Sequence, residues 1–228
     1  MFLELFLLLI GAYLLGSVPA GYLLIKLIYG KDIRQYGTGK IGASNVMHVG
    51  SIWLAIPVAI FDIGKGALAV YAARWLGMDA TAQIAAGLAA IAGHNWPFFL
   101  GFKGGRGVFT SLGVITAISP WLGMLILAMP YILAPIKQVA LGVFIALVSL
   151  PFFSWFLSGP LGIEGRLPIT IGFAVLSLMA LLTRVIVPRD ELSRSVPVGQ
   201  LFWNRLLFDR DISDQRAWTQ RNLAKNRP

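Results

Sequence analysis

Five stretches of this chain stay apolar for about the length a helix needs to cross a bilayer: Phe2 to Leu27, Ile52 to Leu76, Ala80 to Leu100, Val139 to Leu157 and Pro168 to Val187. Lipid satisfies no backbone N–H or C=O, so runs this long and this poor in charge must bond within themselves, as helices do. A soluble domain of 228 residues could not hide a composition that is 57% hydrophobic and 13% charged. The sequence therefore predicts an all-α, multi-pass membrane bundle. The first run is read as a retained span, because Glu4 precedes any Lys or Arg and the run is too long for a signal-peptide core.

The stretch from Thr110 to Pro135 reads two ways, as one kinked span or as two short helices broken at Ser119-Pro120, since proline removes a helix donor and disfavours helix just before it. Charge separates the two. With two crossings, and seven helices in all, 16 of the 19 basic residues fall on one side, Arg74 and Arg166 on the other, and Lys65 within a span. With one crossing the division is seven against 11. The positive-inside bias thus predicts about seven transmembrane helices, with the N-terminus outside and the C-terminus cytoplasmic. Two helices of about 12 residues reach only about 18 Å each, so they must tilt, thin the bilayer or pack inside the bundle. Residues 1–190 form the membrane domain. Residues 191–228, which mix both charge signs with Phe202, Trp203, Leu206, Leu207 and Phe208, form a cytoplasmic amphipathic and polar tail.

Several chemistries are excluded at once. The chain has no cysteine, hence no disulfide, thiolate metal site or thiol nucleophile, and its two histidines, His48 and His94, are too few for a histidine-rich metal centre. The net charge of +9 is assigned to loops beside anionic lipid rather than to nucleic acid, since no basic, aromatic soluble domain is present.

Against this apolar background two loops stand out. GFKGGRGVFT, residues 101–110, sets Lys103 and Arg106 among Gly104, Gly105 and Gly107. Glycines let successive N–H groups turn toward an anion, and a helix starting near Val108 aims its positive end there. Alone, a basic turn that only sets topology explains this stretch equally well. The second loop, residues 36–50, carries Thr38, Gly39, Lys40, Gly42, Ser44 and Asn45 on the same side in either topology. The pair favours one phosphorylated ligand held between them. Asp62 and Lys65, three residues apart, share one face of a span, and intramembrane charges face a polar cavity or each other. His94 ends the third span as a base, a ligand or a packing histidine, and Ser17, with Pro19 and Gly21, interrupts the first.

These segments resemble the integral-membrane bacterial glycerol-3-phosphate acyltransferases that take their acyl chain from acyl phosphate. The resemblance lies in GSVPAGYL, GTGKIGASNV, DIGKGALAV and GHNWPFFLGFKGGRGV, in order and at matching spacing, over residues 11 to about 115. The second half departs. Lys137, Gln138, Val139 and Ala140 stand where the family has Arg-Tyr-x-Ser, and the C-terminal His-x-Glu-Asn-Ile-x-Arg-Leu-Leu motif survives only as Asn204-Arg205-Leu206-Leu207.

The resemblance implies a seven-helix fold in a bacterial inner membrane and an active site near the cytoplasmic face. It also implies acyl transfer from acyl phosphate to the 1-hydroxyl of glycerol 3-phosphate, without a cofactor or metal. Lys103, Arg106, Thr38, Ser44 and Asn45 are the candidate catalytic residues. Gly39, Gly42, Gly104, Gly105, Gly107, Lys137 and His94 would bind substrate or phosphate, and Ser17, Asp62 and Lys65 would support the polar cavity. A mixed anhydride has a good leaving group, so positioning and charge could carry the step. Neither histidine is followed four residues later by Asp, which excludes a His-x-x-x-x-Asp acyltransferase. An enzyme with another acceptor, a non-catalytic lipid-binding relative and a small-anion transporter remain open at this point.

Overall fold

The computed structural model describes residues 2–220; Arg221, Lys225 and Arg227, counted above with the basic tail, lie outside the described residues. The described chain is helical: α1 (Phe2–Ser17), α2 (Ala20–Tyr29), α3 (Ala43–Val49), α4 (Ile52–Trp75), α5 (Ala80–Asn95), α6 (Val108–Ile118), α7 (Pro120–Ile132), α8 (Val139–Phe156), α9 (Arg166–Val185), α10 (Glu191–Arg194), α11 (Val198–Phe208) and α12 (Gln215–Gln220). The ambiguous stretch is two helices. Ser119 ends α6 and caps α7, where its Oγ accepts from Leu122 N–H, and Pro120 fills the first helical position. The chain folds back there, packing Gly123 onto Thr116.

Four helical segments have the length and hydropathy of a membrane crossing: Phe2–Tyr29 taken through its break, Ile52–Trp75, Val139–Phe156 and Arg166–Val185. Large apolar side chains such as Phe2, Trp53, Phe156 and Leu178 project outward, as a lipid-facing surface requires. This is a multi-pass membrane protein.

Small residues bring the helices together. A Cβ on Gly16 would strike the backbone of Ala90, and one on Gly93 the carbonyl of Tyr13, so α1 and α5 lie almost backbone to backbone. Gly66 and Gly113 do the same for α4 and α6, meeting Thr110 and Ile63. Paired positions give the directions. Gly66 meets Thr110 and Arg74 donates to the Ala117 carbonyl, so α4 and α6 run parallel. Gly172 meets Ile84 and Gly165 meets Ala80, so α5 and α9 are parallel too. Ser177 donates to Leu147 and Arg184 to Ala140, so α8 opposes α9.

One consequence concerns depth. Lys65 lies 13 residues into α4, about 20 Å from its start and about 15 Å from its end. Three other segments meet α4 at this level: the break at Val18, the end of α5 at His94, and the start of α6 near Gly66. The 11 residues of α6 therefore cover only the far half of α4, and α7 returns over a similar length. These helices are short because they start and finish beside a polar cavity.

The segment after α9 is pinned to the bundle. Buried Arg205 makes a two-pronged ion pair with Asp211, Nε to Oδ1 and Nη2 to Oδ2, both at 2.8 Å. Its Nη1 donates to the carbonyls of Val185 and Val187 at the end of α9. Arg184 Nη1 in turn donates to the Leu206 carbonyl near the end of α11.

Candidate active site

At the level of Lys65 three polar side chains are buried together. Lys65 Nζ donates to Asp62 Oδ1 at 2.8 Å, to His94 Nδ1 at 2.9 Å and to the Val18 carbonyl at 3.4 Å. An ammonium has three protons, and here each has an acceptor. His94 Nδ1 also lies 3.4 Å from Asp62 Oδ1, and its Nε2 faces Gly105. Pairing makes so deep a charge tolerable, since an isolated one would face the full desolvation cost.

His94 also shapes the glycine loop. Its carbonyl accepts from Gly105 N–H at 3.0 Å, and a Cβ on Gly105 would strike Nε2. A Cβ on Gly104 would strike the His94 carbonyl and Pro97, and one on Gly107, at φ +70°, would meet Asn95 Oδ1. Three of the loop's glycines are thus required by contact with the end of α5. The Gly105 amide, already bonded, is not available to a ligand.

The other loop is folded around Asn45. Its buried amide donates to the carbonyls of Lys40, Tyr36 and Ile33, at 2.8, 3.1 and 3.2 Å, and its Oδ1 accepts from Thr38 N–H at 2.9 Å. All of these bonds stay inside the loop, so Asn45 acts as its brace. Thr38 Oγ1 is buried and has no hydrogen-bond partner among the described residues.

Two adjoining cavities open between these loops. One, of about 500 Å³, is lined by Thr38, Lys40, Gly42, Ser44, Asn45, Asp62, His94, Arg106, Gly107, Lys137, Arg184, Asp209 and Arg210, with Phe109, Val139, Val143 and Phe208 as apolar wall. The other, of about 480 Å³, is lined by Thr38, Gly39, Lys40, Lys103, Gly104 and Gly105 together with Leu182, Thr183, residues 186–191 and Arg194. Thr38 and Lys40 border both. Lys103 and Arg106, three residues apart, therefore face different cavities. Lys65 reaches the first through its partners. Ser17 lines neither: its hydroxyl donates to the Tyr13 carbonyl and accepts from Phe98 N–H, tying α1 to the 98–100 turn.

The first cavity gathers five cations, Lys40, Arg106, Lys137, Arg184 and Arg210, against two carboxylates, Asp62 and Asp209. Burial and the nearby Arg106 lower the pKa of Lys40 to about 8, a shift that Asp209 opposes. A pocket with that excess, beside an apolar wall, suits a phosphorylated ligand carrying a hydrocarbon chain. The contributions of Arg184, Asp209 and Arg210 were not foreseen from sequence. Lys40 carried a signal, its place among the loop glycines, but no assigned role.

The model of the glycerol-3-phosphate acyltransferase family matches residues 6–194. The chain belongs to that family. Similar proteins include glycerol-3-phosphate acyltransferase 4 of Dehalococcoides mccartyi, 41% identical over 97% of this chain and 96% of that protein. Glycerol-3-phosphate acyltransferase 5 of the same species is 40% identical over 94% and 92% of the two chains. A glycerol-3-phosphate acyltransferase of Synechococcus is 43% identical over 66% of this chain and 68% of its own. The crystal structure of PlsY, an integral membrane glycerol 3-phosphate acyltransferase, in its glycerol 3-phosphate form, aligns with a TM-score of 0.72 and 31% identity over 79% of this chain and 88% of PlsY. The family model stops at residue 194, whereas the first Dehalococcoides match takes in α11 and α12 as well.

Proposed function

We propose that this acyltransferase moves an acyl group from acyl phosphate to the 1-hydroxyl of glycerol 3-phosphate, giving 1-acylglycerol 3-phosphate and inorganic phosphate. The observation that carries this reading is the single cavity in which five cations meet an apolar wall above the buried Asp62–Lys65–His94 cluster. The hydroxyl oxygen attacks the acyl carbon, the bond from that carbon to the bridging oxygen breaks, and phosphate leaves with the electron pair. The hydroxyl proton passes to a phosphate oxygen. No acyl-enzyme is needed, which accords with a chain that has no cysteine and with a His94 Nδ1 already engaged by Lys65. Arg106, Lys137, Lys40 and Lys103 hold phosphate oxygens, Ser44 and Thr38 orient the acceptor, and Asn45, Gly39, Gly42, Gly104, Gly105 and Gly107 keep the loops in shape.

We place this site near the cytoplasmic face of a bacterial inner membrane, in a chain that crosses seven times through α1–α2, α4, α5, α6, α7, α8 and α9. Residues 1–190 make the membrane domain and 191–228 a cytoplasmic tail. The alternating helix directions support that path, and so does the position of Arg74 and Arg166 at the end of the bundle away from Lys103 and Lys137. The test is product mass after purified protein is given acyl phosphate and a panel of phosphorylated polyols. Acylation of glycerol 3-phosphate alone is expected. Turnover with acyl-CoA but not with acyl phosphate would reverse the donor.

A further inference from the structure

Beyond the stretch that the family model matches, the end of α11 brings a carboxylate to the cavity. It ends at Asp209, whose φ of +57° is a left-handed conformation in which glycine is free of strain. An acidic side chain held there has a reason to be acidic. Asp209 pairs with Arg106 through Nε, and both residues line the first cavity. Nε is the inner edge of the guanidinium, so the pair leaves the terminal amino groups, the fork that grips phosphate, for a ligand.

Building on the function proposed above, we infer that Asp209 is a positioning residue that holds Arg106 for the substrate phosphate. Two observations set this role apart from a lid that competes with substrate. Asp209 does not swing, because the segment around it is fixed by Arg205 to Asp211 and to the end of α9, and by Arg184 to Leu206. Arg106 also shares its cavity with Lys40, Lys137, Arg184 and Arg210, four like charges that would push an unheld guanidinium away. Asp209 offsets that repulsion and helps Lys40 keep its proton beside Arg106. Residues 195–220 lie beyond the stretch that the family model matches but within the span that aligns with the Dehalococcoides protein.

The experiment compares Asp209→Gly, which suits the backbone, Asp209→Asn, which keeps the shape, Arg106→Gln, and Arg106→Gln combined with Asp209→Gly. Both Asp209 variants should unfold at the wild-type temperature while KM for acyl phosphate, the substrate whose chain the apolar wall suits, rises about tenfold or more, with a smaller change in kcat. In the Arg106→Gln background, Asp209→Gly should add nothing, because the effect runs through Arg106. An unchanged or lowered KM, or an additive loss in the double variant, overturns the inference and leaves the acyltransferase reading standing. If the wild type fails to turn over these substrates, calorimetry with inorganic phosphate still decides. Weaker binding by Asp209→Gly supports the role. Equal or tighter binding, or no binding by the wild type, overturns it.

Discussion

Gly105 and His94 meet twice: the Gly105 amide donates to the His94 carbonyl at 3.0 Å, and the His94 ring occupies the space where a Gly105 Cβ would lie. Gly105→Ala should therefore displace the ring that is hydrogen-bonded to Lys65. The expected cost is about 1–3 kcal/mol of stability from overpacking, together with most of the activity. Thermal unfolding in detergent measures the first and product formation the second. A Gly105→Ala protein with wild-type stability and turnover would show that the loop has room the structure denies it.

Charge removal should divide the two loop cations. Arg106→Gln and Lys103→Gln should each lower turnover by roughly one to two orders of magnitude if both hold phosphate, on a scale of about 1.4 kcal/mol per decade. Because they line different cavities, the KM for one substrate should rise most in Arg106→Gln and the KM for the other in Lys103→Gln. Steady-state kinetics with each substrate varied in turn makes the comparison. Wild-type kinetics in both would leave only a topological role for these charges.

Lys40 gives the reaction an alkaline limit. Its pKa in the folded protein, about 8, lies below its ordinary 10.5, so the cation is present below about pH 8 and lost above it. KM for the phosphorylated acceptor should climb between pH 7 and about 9.5, and Lys40→Arg, which stays charged, should flatten that climb. Stability responds with the opposite sign. Between about 8 and 10.5 the unfolded chain binds the proton and the folded one does not, so raising the pH relieves the burial penalty as binding weakens. A pH profile unaltered by Lys40→Arg would remove Lys40 from the site.

Asn45→Ala should loosen the whole 33–40 loop, because one amide holds three carbonyls and one amide N–H. About 2 kcal/mol or more of stability should be lost, with carbonyls left unpaired in a buried place. Faster hydrogen exchange confined to residues 33–45 is the expected signature. Loss of turnover with an unchanged exchange pattern would instead assign Asn45 to the substrate.

Topology is open to labelling, since the chain is free of cysteine. An impermeant thiol reagent should reach Gly159→Cys but not Lys137→Cys from outside intact cells. Labelling of Lys137→Cys from outside would defeat the seven-crossing path.

What the sequence made legible was local. The glycine loops, the Asp62–Lys65 spacing and the Ser119-Pro120 break each sit within a few residues, where turn chemistry and helical period speak directly. The meeting of Lys65 with His94 and Val18 joins α4, α5 and the break between α1 and α2, and no local pattern encodes it. The cavity's charge is likewise assembled from residues 40, 106, 137, 184, 209 and 210, distant along the chain. Asn45 shows the limit from another side: its place in a motif marked it as important, but only its hydrogen bonds reveal a brace. The length of α6, too short for a bilayer when read alone, made sense once its start was seen to abut the polar level of α4.

That half-length α6 has a consequence for how a greasy substrate is handled. Pulling a chain of about a dozen methylenes out of the bilayer costs about 10 kcal/mol, at about 0.8 kcal/mol for each. A site at the membrane surface would have to supply that work on every turnover. Under the function proposed above, because α6 begins beside Gly66, well inside the length of α4, the polar reactants would descend to the carbonyl instead. The hydrocarbon tail can arrive and depart by sideways diffusion, never leaving oil.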